Sequence, residues 1–324
     1  MAFKITRAGH VVLRATDVPR LKSFLEKIVG FSTYGKAGRD FYFLTSHPVT
    51  NHHMIAVRPG KPGERLPDAE RQIGMASIAY EMSDAAALGD LYGRLRRAEA
   101  AQDCRILAAE DRGAIHMLVF ADFDGNRYEF WCPAPGPEAE RIQSLALRGA
   151  LDLAAGPAEP AAPPAPPAKI AIRRTSHLTL RSRDLARAQA FYETALGLGV
   201  VAEDERGRRY LAPGDGNRRI VLALEPARHP DAPSPTPKAM FGMEHFSLEV
   251  GSFADLQDVW RHFKASGVSV DHTQDHGVTA SIYFHDPDGN LMEIYHDVPR
   301  AEIAVPEDPF VSAGGIEERL ERVG

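Results

Sequence analysis

Two histidines and a carboxylate, His177, His245 and Glu293, stand in three short stretches of alternating apolar and polar residues. Two neutral imidazoles with one anionic oxygen form the donor set that binds Fe(II) on one face and leaves the other open. Taken singly, each is an ordinary polar residue on a strand. They become a set because the chain carries the same stretches twice. GMEHFSLEV (242–250) answers to GMASIAYEM (74–82), SIYFHDPDGNLMEIY (281–295) to MLVFADFDGNRYEFW (117–131), and TSHLTL (175–180) to AGHVVL (8–13), at offsets of 168, 164 and 167 residues. The first copy offers His10, Ser77 and Glu129 at the matching places. A hydroxyl is a poor ligand beside imidazole and carboxylate, so the first copy has lost its middle donor. One working site per chain is expected.

The elements that must position these residues repeat as well. AAGPAEPAAPPAPPA (154–168) cannot bury enough apolar surface to fold, and its prolines favour an extended linker. Pro-rich stretches at 58–70 and 225–238 divide each half again, giving units of about 5–57, 73–133, 170–225 and 240–297. Each unit opens with an alternating strand and a helix. Asp184 is placed to cap one helix, with Leu185, Ala188, Tyr192 and Leu196 at helical spacing and Gly197 at its end. Asp17 and Gly30 bracket another, and Gly267 closes a third. Three shorter strands follow, the last two of units two and four joined by FDGN (123–126) and PDGN (287–290) turns. Alternation puts Phe246, Leu248 and Val250 on the core face, and turns His245, Ser247 and Glu249 toward a concavity. The fold class is α+β: four βαβββ modules paired into two tandem domains, an N-terminal domain (1–133) and a C-terminal one (170–298), separated by a linker (134–169) and followed by an acidic tail (299–324).

Bulk composition narrows the function. The 324 residues are 44% hydrophobic and 25% charged, with a net charge of −6, so there is no basic footprint for nucleic acid. No apolar run reaches the ~20 residues of a membrane span, and the N-terminus lacks the apolar core of a secretory signal. Cys104 and Cys132 sit in no CxxC spacing and read as reduced thiols of a cytoplasmic protein.

Four modules carrying HLTL, EHFSLEV and YFHDPDGNLMEIY resemble the vicinal oxygen chelate superfamily, and within it the type I extradiol ring-cleaving dioxygenases. The resemblance covers all of the chain but linker and tail. It implies an enzyme in which His177, His245 and Glu293 hold Fe(II), or Mn(II), and a catechol-type diol is opened by O2. It also implies a homo-oligomer whose N-terminal module pair is vestigial. Tyr283 would orient the substrate. His276, in DHTQDHGVTASIYF (271–284), would handle protons, with His272 a nearby rival. The chain departs from the pattern at one point. A further acid/base histidine is expected on a strand of module three, where this sequence reads NRRIVLAL (217–224). Arg218 stands there, a fixed cation suited to bound superoxide or a substrate carboxylate rather than to proton transfer. Module one instead reads NHHMIAV (51–57), with His52 and His53 at the matching positions.

Three other readings stay open at this level. If module one pairs with module four, His10 displaces His177, as in the hydroquinone-cleaving members of the superfamily. A glyoxalase-type or thiol-transferring metalloenzyme would use a fourth protein ligand. A metal-free protein binding an aromatic ligand would need none.

Overall fold

The computed structural model describes residues 2–46, 53–61, 73–134, 149–151, 153, 172–214, 219–235, 240–299 and 314–322. Module one comprises β1 (Ile5–Ala15), α1 (Val18–Phe24), β2 (Ser32–Ala37), β3 (Phe41–Thr45) and β4 (Ile55–Pro59). Module two follows as β5 (Gly74–Met82), α2 (Ala85–Ala100), β6 (Cys104–Asp111), β7 (Ile115–Asp122) and β8 (Arg127–Pro133). After a two-residue strand, β9 (Gly149–Ala150), module three runs β10 (Ile172–Ser182), α3 (Leu185–Leu196), β11 (Leu198–Glu203), β12 (Arg209–Pro213) and β13 (Leu222–Pro226). Module four is β14 (Gly242–Val250), α4 (Phe253–Ser266), β15 (Val270–Asp275), β16 (Thr279–His285) and β17 (Leu291–Asp297), and a short α5 (Glu317–Glu321) lies beyond it.

Local sequence explains the elements. The side chains of Asp17, Asp84, Asp184 and Ser252 each accept the backbone N–H three residues on, satisfying a donor that the first helical turn leaves open. Gly197 and Gly267 end α3 and α4 in the left-handed region, at φ 67° and 73°. The two Asp-Gly turns are organised by the aspartate ahead of them. Asp286 accepts the N–H groups of Asp288 and Asn290, the Asn290 amide and the Tyr192 hydroxyl, and Asp122 is bonded in the same way by Asp124, Asn126 and Tyr128. Cys104 and Cys132 are free and buried, and burial pushes their thiols up to about 12 and about 11.

The α+β class and the four modules are as the sequence predicts; the pairing of the modules is not. One sheet has eight strands in the order β15-β16-β17-β14-β1-β4-β3-β2, and the other nine, β11-β12-β13-β10-β5-β8-β7-β6-β9. Module one therefore pairs with module four, and module two with module three. The two seams, β1 with β14 and β5 with β10, are antiparallel. The sequence halves 1–133 and 170–298 are tandem along the chain, but each sheet draws one module from each half. The helices tie the sheets together. Phe24 on α1 meets Phe120 on β7, with ring centroids 6.1 Å apart, and Phe191 on α3 meets Phe284 on β16 at 6.2 Å. One continuous apolar cluster runs through all four modules.

The fit at the seam gives a physical reason for the pairing. A Cβ at Gly9 would overlap the Ser247 hydroxyl and the Tyr295 ring. Module three carries Ser176 at the position of Gly9, so β10 could not lie against β14 in the same way. It lies instead against β5, where Ala79 replaces Ser247.

Candidate metal centre

His10, His245 and Glu293 converge in the concavity of the eight-stranded sheet, all buried, with one ligand atom of each within 4.8 Å of the others. Two irregularities at the seam aim them. Leu13 pairs with Met243 and Val12 with His245, leaving Glu244 as an extra residue that bulges β14. On β1, Ala8 pairs with Leu248 and Val11 with Phe246, so the bulge falls at Gly9 and His10. Ser247 clamps that bulge. Its hydroxyl accepts the His10 N–H at 2.6 Å and donates to the His10 carbonyl at 3.1 Å. Glu293 lies on β17 between Ser247 of β14 and Tyr283 of β16.

The donor geometry suits a cation. Nε2 of His10 and Nε2 of His245 lie 3.0 and 3.3 Å from the same oxygen of Glu293. Both imidazoles thus turn a ring nitrogen toward one buried carboxylate oxygen, so three ligand atoms gather around one point. Burial favours the neutral carboxyl of Glu293, but His10 and then His245 outweigh it and hold the group well below the usual carboxylate range. Burial also lowers the His10 imidazole, keeping it in the neutral form a metal requires. The residues thus fit a divalent ion, and a fourth ligand side chain is absent among the described residues. Behind His245, the Glu244 carboxylate lies 3.8 Å from Nδ1 and is held by Arg14 at 2.9 Å and Arg58 at 3.1 Å.

Further aromatic and imidazole groups surround this centre. Tyr283 meets the His245 ring edge-on at 5.3 Å, and its hydroxyl is 3.0 Å from Nε2 of His276. Burial lowers the His276 pKa, while Glu293 opposes that shift. His272 stacks flat on Tyr283 at 4.2 Å, but nearer solvent, with Nδ1 on Asp271. On the opposite side His53 stacks against His10 at 3.9 Å, and Phe43 packs edge-on against His53 at 4.9 Å. In the sequence His53 stands only as the counterpart of a histidine missing from module three; the pairing of module one with module four is what brings it to this centre.

One expectation is corrected, and another falls on a residue that is not described. His177 is not beside His245 and Glu293: it lies on β10 in the other sheet, opposite Ala79 and within electrostatic reach of Glu129. Arg218 lies outside the described residues, and the strand its stretch leads into, β13, belongs to that same other sheet.

The second concavity holds a different solution. Arg208 donates from Nη1 to both oxygens of Glu129, at 2.9 and 3.1 Å, and Ser77 donates to Oε1 at 2.8 Å. The same guanidinium reaches Glu225, which also binds Arg181. Burial disfavours the Glu129 anion, but Arg208, His177 and Ser77 together bring its pKa down to about 2. Burial and Arg208 keep His177 neutral, at about 4, against the pull of Glu129.

Residues 7–130 and 174–294 match the Glyoxalase/Bleomycin resistance protein/Dioxygenase superfamily, and the chain belongs to it. Its sequence is 28% identical over 151 residues to biphenyl-2,3-diol 1,2-dioxygenase 3 of Rhodococcus globerulus, covering 47% of this chain and 75% of that protein. It is 32% identical over 124 residues to catechol-2,3-dioxygenase of Bacillus subtilis strain 168, covering 38% of this chain but only 41% of that enzyme. A solved structure from the same Bacillus strain shares the fold, with a TM-score of 0.65 and 16% identity over 100% of this chain and 92% of the other.

Proposed function

We propose that the protein is an Fe(II)- or Mn(II)-dependent dioxygenase that opens the ring of an aromatic diol with O2. The observation that carries this reading is the gathering of His10, His53, His245, His276, Tyr283 and Glu293 into one concavity, although modules one and four stand at opposite ends of the chain. Every element of the extradiol pattern then has a residue, including the histidine that module three lacks. The sequence relatives act on vicinal diols, by their names, and support the same substrate class.

A metal held by the triad would supply the charge that acidifies a bound diol and the electrons that activate O2. Two neutral imidazoles and one carboxylate leave a dication one positive charge in excess, so the site favours an anionic oxygen ligand. His276, lowered by burial, is neutral near pH 7 and can accept a hydroxyl proton and later return it. The Tyr283 hydroxyl, fixed by His276, can donate to a substrate oxygen. Phe43 and His53 give the ring an aromatic wall. Three protein ligands leave open positions for diol and O2, where a glyoxalase-type centre would use a fourth. The two buried thiols fit a cytoplasmic enzyme.

A hydroquinone substrate is the second reading, favoured by the origin of the first ligand in module one. Anaerobic loading with Fe(II), then oxygen uptake with catechols and hydroquinones, tests both. Uptake of one O2 per diol is expected, with catechols preferred. Turnover of hydroquinones alone selects the second reading, and no uptake with either class refutes the proposal. His276→Gln should lower kcat by roughly 10²–10⁴ at unchanged metal content.

A further inference from the structure

Residues 314–322 pack against the strand that leads into His276. From Gly314 onward the chain returns to the outer edge of that strand, β15. The Asp275 N–H donates to the Gly314 carbonyl at 2.9 Å, forming a single antiparallel bridge. The Ile316 N–H donates to the Thr273 hydroxyl at 2.8 Å, and Gln274 reaches the Gly314 carbonyl at 3.3 Å. Arg319 donates to Oδ2 of Asp275 at 2.7 Å, while the Gly277 N–H occupies Oδ1 at 2.8 Å. Asp275 is thus held on both sides of His276, by the tail through one oxygen and by its own turn through the other. The tail is itself anchored: Ile316 and Leu320 are buried in the main apolar cluster, and the Arg319 guanidinium lies 4.8 Å over the Phe253 ring.

The first half makes the same move with a different result. The short strand β9 pairs with β6 at Glu110 and Asp111, and the Asp111 carboxylate accepts the Gly113 N–H at 2.8 Å, just as Asp275 accepts Gly277. Between those residues stands Arg112 in place of His276, tied to Glu110 and Asp204 by its own ion pairs. There the side chain is locked by partners of its own. His276 has only the Tyr283 hydroxyl as a side-chain hydrogen-bond partner among the described residues, so its placement depends on the backbone that carries it.

We propose that Arg319 and the Gly314 backbone form a positioning strap for His276, fixing the Asp275–Gly277 turn so that the imidazole faces the metal ligands. The role of His276 in this statement rests on the dioxygenase reading; the strap itself does not. The Arg319–Asp275 pair is half exposed, and such pairs contribute up to about 1 kcal/mol, or roughly fivefold in an opening equilibrium. Hydrogen exchange of the full-length apoprotein should therefore accelerate about fivefold over residues 273–279 in Arg319→Ala, and recover in Arg319→Lys. In the Fe(II)-loaded protein, Arg319→Ala should lower kcat about three- to tenfold, with KM and metal content unchanged. The loss should vanish when Arg319→Ala is made in a His276→Gln background. Unchanged exchange over 273–279 overturns the strap. Equal kcat losses in both backgrounds overturn its action through His276. Faster exchange in a protein whose wild type consumes no oxygen with any diol leaves the strap standing and refutes the dioxygenase reading alone.

Discussion

The concavities of the two sheets start from one scaffold and solve one electrostatic problem in opposite ways. Each buries a glutamate, Glu293 or Glu129, at the same place on the same strand of its module. A buried carboxylate needs hydrogen-bond donors or a counter-charge beside it. Around Glu293 the neighbours are two imidazoles, His10 and His245, an arrangement that suits a bound metal ion as the counter-charge. Around Glu129 the chain supplies its own, the guanidinium of Arg208 on the approach to β12. In the other sheet the residue paired at the matching place is Phe41, beside Phe43 and under Arg58. Exchange of an aromatic residue for arginine helps to separate the candidate metal site from a concavity closed by an internal ion pair. Loss of the middle histidine at Ser77 is therefore half of the difference, and Arg208 is the other half.

The largest effect should come from the first ligand. His10→Ala should remove nearly all bound metal after anaerobic reconstitution, while His177→Ala retains a full equivalent; metal analysis of both variants decides, and the reverse result would break the comparison. Next is Arg208→Met, which leaves Glu129 buried without its counter-charge and should cost about 3–5 kcal/mol in denaturant unfolding. Arg208→Lys should recover part of that loss. If Arg208→Met is as stable as wild type, the guanidinium is not the cation that Glu129 needs.

Protonation sharpens the contrast further. His177 is held at about 4 in the folded protein against an unfolded value near 6.5. The unfolded chain therefore takes up this proton first. The associated stability is complete above pH ~6.5 and is lost as pH falls toward 4, by on the order of 3 kcal/mol at 1.4 kcal/mol per pH unit. His177→Gln should flatten unfolding free energies measured across that window. Gly9→Ala tests the seam: the added methyl group meets Ser247 and Tyr295, and overpacking of this kind costs about 1–3 kcal/mol. Weaker metal binding should accompany it, since Ser247 holds the His10 backbone. Smallest is Ser77→Ala, which removes one hydrogen bond to Glu129 and should cost about 1 kcal/mol while metal content stays unchanged.

Much of this was legible in the sequence, because much of it is local. Alternation, capping aspartates, terminal glycines and Asp-Gly turns each act over a few residues, so module boundaries and the inward faces of His245, Tyr283 and Glu293 could be read directly. Which module sits beside which could not. β1 and β10 carry the same alternation, as do β5 and β14, so either pairing satisfies the pattern. The choice rests on contacts between residues more than 230 apart, such as Ser247 with His10. One signal did point across the chain: the histidines missing from NRRIVLAL are present in NHHMIAV, and module four lacks only what module one holds. The bridges at β9 and Gly314 are not legible in the sequence, because one or two bridging residues leave no periodicity.

The crossed pairing has a meaning for ancestry. If the linker were cut and each half were a separate polypeptide, these sheets would be the two interfaces of a head-to-tail pair of subunits, each built from the opening module of one and the closing module of the other. In a homodimer two-fold symmetry would make both interfaces identical, and every substitution would appear in both at once. Joining the halves in one gene removed that constraint. The outer modules could keep all three ligand positions while the inner ones exchanged the middle histidine for serine and an aromatic residue for arginine, so a single chain now carries a candidate metal site and a counterpart closed by an ion pair.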